Sequence, residues 1–321
     1  MLRPFVAALA ASTVLAFSAP AALAQQSFPA TVENCGATVT IEAQPERILM
    51  VNADDVALLA ELGALDRLVA RTGTPEAELF APDVYAALDN VPLLTTENNV
   101  TGGSVLSLET ILAQNPDLVL APENAVDRQL LAEAGIPLYS PPAYCNDLSL
   151  IPGGTASFDL VYDQLETFGT LLGKSDLAAD RIAALKASVA PTDAGDSHGT
   201  GFALYVAAGG KTLYPYGARS MVTPVFAAAG LDNVYADTDE RVFEAGTEEL
   251  LGQDPDVIVL LYSGTSPDVV LADFMSVPGV ENFKAVENGH VVTLPFSFTD
   301  PPSPLSLKGA AALAEKLAAL K

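Results

Sequence analysis

The chain has 321 residues and half of them are apolar, so its length fits about two domains that can each bury a core. Its formal charge of −25 at pH 7 would repel nucleic acid and anionic lipid, and we exclude both as partners. The excess of carboxylates is interpreted as a solubility adaptation and not as an acidic binding tract.

Residues 1–24 predict a secretory signal peptide. Arg3 provides a short positive region, and an apolar run rich in alanine and leucine follows. The pattern Ala22-Leu23-Ala24 fits a small-residue cleavage site after Ala24. A membrane anchor is the alternative, but Pro20 interrupts the run. A lipid-anchored protein would need a cysteine where this chain has Gln25, so we expect a soluble mature protein in a periplasm.

The two cysteines, Cys35 and Cys145, are an even number in a compartment that is oxidising. This favours a single disulfide between them, and two free buried thiols are the alternative. Two cysteines and two isolated histidines, His198 and His290, are too few for a thiolate or His-rich metal site. We therefore predict no metal site.

The first half of the chain alternates strands and helices. Residues 30–34 and 37–43 alternate apolar and polar residues around Cys35 and Gly36, which predicts a hairpin. The pattern then predicts a buried strand at 47–52, a helix at 54–62, a strand at 67–71, a short helix near 82–88, a helix and strand within 107–120, a helix at 126–134 and a strand at 136–140. Such alternation favours a mainly parallel sheet with helices on both faces.

The segment 107–120, S-L-E-T-I-L-A-Q-N-P-D-L-V-L, recurs at 246–259 as G-T-E-E-L-L-G-Q-D-P-D-V-I-V. Four residue types keep their places, with Glu109, Gln114, Pro116 and Asp117 in the first copy and Glu248, Gln253, Pro255 and Asp256 in the second. Each copy predicts a short helix, a Pro-Asp turn and a buried strand. The repeat therefore predicts two similar α/β lobes.

The middle of the chain predicts the connection between these lobes. Apolar residues recur at helical spacing over 157–172 and 176–189, with Gly173 between the runs, and 193–200 form a polar loop. We assign residues 25–173 to an N-terminal lobe, 174–192 to a linking helix and 193–321 to a C-terminal lobe.

The second lobe is predicted to repeat the alternation of the first. Its pattern indicates strands at 202–207 and 212–216 around Gly209 and Gly210, a helix at 220–229, a strand near Val234, the second copy of the repeat, a helix near 269–275, a strand at 290–294 and a helix at 306–320.

The sequence predicts a binding protein and not an enzyme. No Ser, Cys or Lys stands in a nucleophile motif beside a base, and the sequence contains neither a Walker loop nor G-x-G-x-x-G. Two lobes joined by a helix leave a cleft, and the loops after parallel strands face such a crevice.

Candidate ligand-binding residues are those that follow the predicted strands: Asn52, Asp54, Arg71, Thr72, Glu123, Asn124, Tyr214, Tyr216, Arg219, Tyr262, Ser263, Phe296 and Phe298. Arg71 and Arg219 carry most weight because a guanidinium can donate two hydrogen bonds to an anionic oxygen group. A structural ion pair is the alternative for each arginine, and ordinary packing is the alternative for each aromatic residue.

Six segments carry a resemblance to a known family: P-E-R-I-L at 45–49, L-L-A-E-L-G-A-L-D-R-L-V-A-R-T at 58–72, the first copy of the repeat, L-A-E-A-G-I-P at 131–137, G-A-R-S-M-V-T-P-V-F-A-A-A-G-L-D-N-V at 217–234 and K-A-V-E-N-G-H-V-V at 284–292. As a set they resemble the periplasmic binding proteins that serve ABC importers of ferric siderophores, cobalamin and haem. The resemblance implies an α/β fold of two Rossmann-like lobes with mainly parallel sheets, joined by one long α-helix. It also implies an ABC importer permease with its ATPase subunits as partner, and we expect a monomer.

In the resembled family a glutamate at the start of the repeated helix of each lobe docks onto arginines of the permease. Here these residues are Glu109 and Glu248, and the alternative is that both only favour a helix N-terminus. Arginines with tyrosines favour an anionic iron chelate, so we expect a ferric siderophore as ligand, with no bound cofactor. Alternatives are a corrinoid, haem or a deazaflavin precursor. The Asn34-Cys35-Gly36 start, with a later cysteine, resembles a branch of the family that is associated with uptake of deazaflavin precursors. A non-transport envelope protein is the alternative of another class.

Overall fold

A computed structural model describes residues 28–77, 79–98, 103–150, 153–188, 198–206 and 212–320. The predicted signal peptide, the turn at Gly209 and Gly210, and residues 189–192 of the predicted linking helix lie outside these ranges. Within the described ranges, no helix combines the length and the apolar composition that a membrane crossing requires.

The described elements follow the predicted order closely. The strands are β1 (Ala30–Asn34), β2 (Ala37–Ile41), β3 (Ile48–Met50), β4 (Leu68–Arg71), β5 (Glu97–Asn98), β6 (Ser104–Val105), β7 (Leu118–Leu120), β8 (Leu138–Tyr139), β9 (Thr200–Val206), β10 (Leu213–Pro215), β11 (Asp232–Asn233), β12 (Val257–Tyr262) and β13 (Val291–Pro295). The helices are α1 (Val56–Glu61), α2 (Pro82–Asp89), α3 (Leu108–Ala113), α4 (Arg128–Glu133), α5 (Asp159–Leu172), α6 (Ser175–Ser188), α7 (Val222–Ala228), α8 (Thr247–Gln253), α9 (Pro267–Met275), α10 (Lys284–Glu287) and α11 (Pro304–Ala318).

Each lobe is built on its own sheet. In the first lobe the strand order is β4-β3-β7-β8 and every neighbouring pair is parallel. In the second the order is β10-β9-β12-β13, with β11 also paired to β9, and β10 is antiparallel to β9. Each sheet has a buried apolar cluster on either face. The predicted α/β class with two lobes and mainly parallel sheets is confirmed.

The hairpin β1-β2 was also predicted, and its strands pair in antiparallel register from Ala30 opposite Ile41 to Asn34 opposite Ala37. The antiparallel pair of β5 and β6 and the short helix α10 were not predicted. Strands of two residues are too short to show an alternating pattern, so hydrophobic periodicity cannot reveal them.

The aspartate of the Pro-Asp turn has the same role in both copies of the repeat. Asp117 accepts hydrogen bonds from the backbone N–H groups of Glu46 and Arg47, each at 2.9 Å, just before β3 begins. Asp256 accepts from the backbone N–H of Thr200 at 2.8 Å and from its Oγ1 at 3.1 Å, where β9 begins. Each aspartate therefore joins the start of the first parallel strand of its lobe to the strand of the repeat.

Helix α5 lies at the junction of the lobes. Just before α5, the N–H of Ala156 donates to the carbonyl oxygen of Ala218 in the second lobe at 2.8 Å, and Val161 packs with Met221. Farther along α5, Leu165 and Phe168 enter the core of the first lobe. Helix α5 therefore contacts both lobes.

Helix α6 contains most of the predicted linking segment and packs along α5. A Cβ atom at Gly169 of α5 would come within 2.6 Å of the Cβ of Ala178 in α6, so a glycine is needed for this close approach. The ammonium of Lys186, near the end of α6, lies 4.6 Å from the ring centroid of Tyr162, near the start of α5. The two helices therefore run in opposite directions.

Replacing Asp117 by alanine should lower the free energy of unfolding by about 1 to 2 kcal/mol, because two backbone donors lose a charged acceptor at an exposed site. Urea unfolding of the purified protein measures this change. Asp237→Ala is the matched control, since Asp237 is an exposed aspartate in a turn of the second lobe. Equal stability of the two variants would contradict the role given to the Pro-Asp turn.

Candidate functional site

The segments that follow the parallel strands of the two lobes meet between the lobes. From the first lobe, Glu76 lies after β4; from the second, Ser297 lies after β13, and its Oγ donates to Glu76 Oε2 at 3.0 Å. Phe298 packs in an apolar cluster with Ala57 and Leu79 of the first lobe. We call the space bordered by these segments the cleft.

A buried ion pair lies at the second-lobe side of the cleft. Asp300 is 1% exposed, and its Oδ2 accepts from Nη1 of Arg241. Its Oδ1 is buried without a hydrogen-bond partner. Burial raises the pKa of Asp300, and the charge of Arg241 opposes this rise. The ion pair therefore compensates the buried carboxylate only in part.

Arg241 also connects the two lobes. Its guanidinium lies over the ring of Tyr144, a residue of the first lobe, 5.5 Å from the ring centroid. Burial raises the pKa of the Tyr144 hydroxyl well above its usual range, and the negative charges of Asp54 and Asp300 add to this effect. Tyr144 is therefore a neutral phenol that can donate a hydrogen bond at physiological pH.

Asp54 is the half-buried carboxylate at the first-lobe side of the cleft. Burial is the main cause that raises the pKa of Asp54 from 3.8 to about 7. A hydrogen bond from Nδ2 of Asn52, at 3.4 Å, lowers this pKa, whereas the charges of Asp300 and Glu76 raise it further. Carboxylates from both lobes therefore act on each other across the cleft.

Aromatic side chains form the second-lobe wall next to this ion pair. The ring of Phe296 lies 5.9 Å from that of Tyr205 and 6.4 Å from that of Tyr216, measured between centroids. Burial raises the pKa of Tyr216 far above its usual range, and the charge of Asp300 adds to the rise. The wall therefore combines apolar ring surface with neutral phenol groups, a combination suited to an organic ligand.

Two cavities are candidates for the ligand. The larger, of about 580 Å³, lies on the first lobe between the starts of α3 and α4. The smaller, of about 90 Å³, is lined by residues of both lobes, including Gln164 of α5 together with Arg241 and Asp300. We assign the ligand site to the cleft that contains the smaller cavity, because the strand ends of both lobes meet there.

A disulfide joins Cys35 of the hairpin turn to Cys145. Since Cys145 directly follows Tyr144, this bond attaches the segment that carries Tyr144 to the hairpin β1-β2. Beside it, Asn34 donates to the carbonyl oxygen of Ser140 at 2.7 Å and accepts from the N–H of Ser140 at 2.8 Å. These bonds fix the first-lobe side of the cleft.

Glu123 lies near the same disulfide, and its carboxylate, Cys35 Sγ and Cys145 Sγ are within 4.8 Å of one another. The two sulfur atoms are bonded to each other, so they offer no thiolate to a metal ion. Glu123 instead accepts from Nε of Arg128 at 2.6 Å and from the backbone N–H of Asn146 at 2.8 Å. It stabilises the loop, and with the exposed Asn124 it lines the larger cavity.

Asn52 and Thr72 were both predicted as site residues, and the structure brings them together. The N–H of Asn52 donates to Oγ1 of Thr72 at 2.8 Å, and Asn52 has a φ of 66°. A Cβ at Gly73 would lie 2.4 Å from the carbonyl carbon of Asn52, so only glycine allows this approach. Both residues therefore support the turn that presents Asp54.

The two arginines to which the sequence analysis gave most weight are bonded inside their own lobes. Arg71 is buried and donates from Nε to Leu88 O at 3.2 Å and from Nη1 to Gly73 O at 2.6 Å. Arg219 donates from Nε and Nη2 to the carboxylate of Asp239, both at 2.7 Å. Arg219 therefore forms the ion pair that was the alternative for it, and it also lines the smaller cavity. Arg71 binds carbonyl oxygens and the hydroxyl of Thr74 and forms no such ion pair among the described residues.

The other predicted aromatic residues lie on the second lobe. Tyr214 is opposite Tyr205 in the pairing of β10 with β9, and Tyr262 is opposite Pro295 at the ends of β12 and β13. Ser263 is exposed. Phe298 lies against α11, where a Cβ at Gly309 would come within 2.6 Å of the Phe298 Cβ. Among the predicted aromatic residues, Tyr216 is affected by the charge of Asp300, and its ring lies near that of Phe296.

Glu109 and Glu248 occupy equivalent places in the two lobes. Each is exposed in the first turn of its helix, α3 or α8. Hydrogen bonds from the Glu109 backbone N–H and from Ser107 lower the pKa of Glu109. Glu109 is therefore ionised at neutral pH and accessible to a partner.

The sequence analysis did not select Glu76, Tyr144, Tyr205, Arg241 or Asp300. Glu76, Tyr144 and Asp300 each follow a predicted strand by a few residues, so the rule that selected other loop residues could have found them. Arg241 also stands a few residues after a predicted strand, the one near Val234, but no other pattern in the sequence distinguishes it.

Comparisons with known proteins give consistent results. The sequence model of a family described as periplasmic binding protein matches residues 48–298. A crystal structure described as an ABC-type Fe3+-hydroxamate transport system from Saccharomonospora viridis is 38% identical in sequence to this chain. The match covers 90% of this chain and 99% of that chain, with a TM-score of 0.81.

More distant similarities agree with these. A cobalamin-binding protein of Halobacterium salinarum is 27% identical over 293 residues, which is 87% of this chain and 71% of that protein. The periplasmic haem-binding protein of Roseiflexus is 20% identical, with 85% of this chain and 97% of that chain covered and a TM-score of 0.64. The last similarity concerns the fold alone.

Asp54→Asn should increase the free energy of unfolding at pH 8 by about 2 kcal/mol, allowing for water that reaches part of the side chain. Because the pKa of Asp54 is raised, the folded protein keeps a proton that the unfolded chain releases, so wild-type stability falls as pH rises from 3.8 to about 7. Urea unfolding at pH 4 and pH 8 measures the difference between the variant and the wild type.

Burial also raises the pKa of Asp55, so Asp55 lowers the free energy of unfolding with rising pH in both the wild type and the variant. The difference in free energy between the two proteins therefore reports Asp54. Asp237→Asn serves as the control for loss of one exposed carboxylate. If the free energy of unfolding changed equally between pH 4 and pH 8 in the Asp54→Asn variant and in the wild type, the cleft would not destabilise the ionised carboxylate.

Proposed function

The chain belongs to the periplasmic binding protein family, and we propose that it is the component of an ABC importer that binds a ferric hydroxamate siderophore. The observation that carries this proposal is the 38% identity, over 90% of the chain, with the Saccharomonospora viridis protein of an Fe3+-hydroxamate transport system. The family is a class of solute-binding proteins, and its members work with an importer permease and its ATPase.

The charges of the cleft support a hydroxamate in preference to an anionic chelate. The expectation of an anionic chelate depended on Arg71 and Arg219, and both are bonded within their lobes. Arg241 is paired with Asp300, and Asp54 and Glu76 add negative charge nearby. An anionic chelate would be repelled by these carboxylates, whereas three hydroxamate groups cancel the charge of Fe3+.

The polar and aromatic groups of the cleft also suit this ligand. The phenol of Tyr144 stays protonated and can donate to hydroxamate oxygens, which are hydrogen-bond acceptors. Rings such as that of Phe296 offer apolar surface to the hydrocarbon part of the siderophore.

A corrinoid is the second candidate ligand. The Halobacterium salinarum relative, 27% identical over 87% of this chain, is a cobalamin-binding protein. A corrinoid would use the same cleft and the same importer, so only the ligand distinguishes the two candidates.

Glu109 and Glu248 are proposed to dock onto basic residues of the permease. Both are exposed at the start of equivalent helices, so together they present one carboxylate from each lobe. Export to a periplasm through the signal peptide at residues 1–24 belongs to the same proposal.

We expect a ferric trihydroxamate to raise the free energy of unfolding by about 2.7 kcal/mol at about 100 times its Kd, because it binds only the folded protein. Thermal unfolding of the mature protein with a ferric trihydroxamate, a ferric tricatecholate, cobalamin and haemin tests this. A midpoint shift with cobalamin alone would replace the hydroxamate by a corrinoid. Absence of a shift with every ligand of this panel would contradict the proposed function.

Glu109→Lys combined with Glu248→Lys should abolish ligand uptake in cells and leave the Kd of the ligand unchanged, because charge reversal repels the basic permease residues. Uptake of the iron-loaded ligand and its binding to purified protein are both measured. The control combines Glu133→Lys with Glu315→Lys, which reverse two exposed glutamates on other helices. Normal uptake by the Glu109 and Glu248 double variant would show that docking does not use these residues.

A further inference from the structure

Two apolar side chains that are exposed to solvent occupy equivalent places in the two lobes. Leu130 of α4 is 41% exposed, and Val269 of α9 is 49% exposed. Their separation in the sequence equals that between Glu109 and Glu248, so the two lobes repeat this apolar position together with the glutamate. A single exposed apolar residue is ordinary on a protein surface, whereas a pair at equivalent positions of two lobes calls for a common role.

The local structure around the two residues is also the same. Each is the third residue of its helix. The N–H of Leu130 donates to Oδ1 of the N-cap residue Asp127 at 3.0 Å, and the N–H of Val269 donates to Oγ of the N-cap residue Ser266 at 3.4 Å. The equivalence therefore holds in the backbone and in the capping bonds as well as in the sequence.

In each lobe the helix with the exposed apolar residue lies beside the helix with the glutamate. Ile111 of α3 and Leu131 of α4 belong to one buried cluster of the first lobe. Leu250 of α8 and Val270 of α9 belong to one buried cluster of the second lobe. Since both helices of a lobe pack on the same cluster, the glutamate and the apolar residue belong to neighbouring parts of one surface.

On the first lobe these two helices also border the larger cavity, which was not assigned to the ligand. Its volume is about 580 Å³, and its lining includes Leu108 and Ile111 of α3 and Leu130 of α4. Leu108 directly precedes Glu109 in the sequence. The surface next to Glu109 therefore has an apolar recess that can receive side chains of a partner.

We infer that Leu130 and Val269 form a second pair of contacts with the importer permease, in addition to Glu109 and Glu248. Each lobe then presents one carboxylate to a basic residue of the permease and one exposed apolar side chain to an apolar residue beside it. This inference rests on the proposed function, because it extends the docking surface to which the two glutamates were assigned.

The combination of the two kinds of contact has a physical reason. An ion pair on an exposed surface contributes little, because water and salt screen it. An apolar contact beside it excludes water and contributes through the burial of its own area. Docking through Glu109 and Glu248 alone would therefore be weak, and apolar neighbours in both lobes would strengthen it.

A second copy of this chain is the other possible partner for these surfaces, and their charge disfavours it. Asp127 stands near Leu130 and Asp268 directly precedes Val269, and both aspartates are exposed, as are Glu109 and Glu248. Two copies of a chain with a formal charge of −25 would bring like charges together at this surface. A partner with basic residues around apolar side chains is complementary to it.

The test measures the Kd between the mature protein and the importer permease with its ATPase in lipid nanodiscs. Leu130→Ser combined with Val269→Ser should raise this Kd about tenfold, because two apolar contacts are lost. The loss should persist at high salt, since salt does not screen an apolar contact. The effect of Glu109→Gln combined with Glu248→Gln should instead shrink as salt is added.

Controls separate docking from folding and from a general loss of apolar surface. Leu93→Ser combined with Met275→Ser changes one exposed apolar residue in each lobe, and neither residue has an exposed apolar counterpart in the other lobe. This control should dock with the Kd of the wild type. Leu130→Val combined with Val269→Leu, which keeps both positions apolar, should also dock nearly as well as the wild type. Thermal unfolding should give similar midpoints for all of these variants, because the altered side chains are exposed.

Each outcome decides the inference. If the Leu130 and Val269 serine variant docks like the wild type while the glutamate variant docks weakly, the apolar contacts are wrong and the proposed docking through the glutamates remains. If both variants dock like the wild type, the proposed docking is wrong and the inference fails with it. If sedimentation shows a wild-type dimer that the serine variant does not form, the surface binds a second copy and the inference is wrong.

Discussion

The burial of Asp300 between the two lobes is the constraint on which the binding region depends. A buried carboxylate needs partners, and Arg241 supplies one for Oδ2 while Oδ1 has none. Arg241 in turn lies over Tyr144 of the opposite lobe. The second lobe therefore presents a buried carboxylate that the residues around it compensate only in part.

The duplicated unit explains how this constraint arises at a shared cleft. Asp117 and Asp256 each join the first parallel strand of their lobe to the strand of the repeat, so the two sheets are built in the same way. The segments after their strands then differ. The first lobe contributes Asp54 and Tyr144, held by a tight turn and by the disulfide, and the second contributes an aromatic wall around Phe296.

The acidic character of the chain acts at two levels. The formal charge of −25 would repel polyanions such as nucleic acid. In the cleft the same residue types have a different effect, because burial strengthens electrostatic interactions and raises the pKa of Asp54 to about 7. The carboxylates of the cleft therefore differ in their ionisation from those on the exposed surface.

Much of the fold could be predicted from the sequence, because the signals are local. The apolar periods of residues 157–172 and 176–189 predicted α5 and α6, and the repeated segment predicted two similar lobes with parallel sheets. Hydrophobic period and Pro-Asp turns depend on neighbouring residues only. The short pair β5-β6 has no such period and was missed.

The binding residues depend on contacts between distant parts of the chain. Arg71 and Arg219 both stand in the sequence where a cleft residue is expected, near the ends of strands. Tertiary packing nevertheless places carbonyl groups around Arg71 and the carboxylate of Asp239 beside Arg219. Arg241 becomes the cleft arginine because Asp300, 59 residues later, and Tyr144 of the other lobe meet it. The sequence by itself determined the elements and the lobes, since period and turn chemistry are local, and only the tertiary structure decided which charges face each other, since that depends on how the two lobes pack.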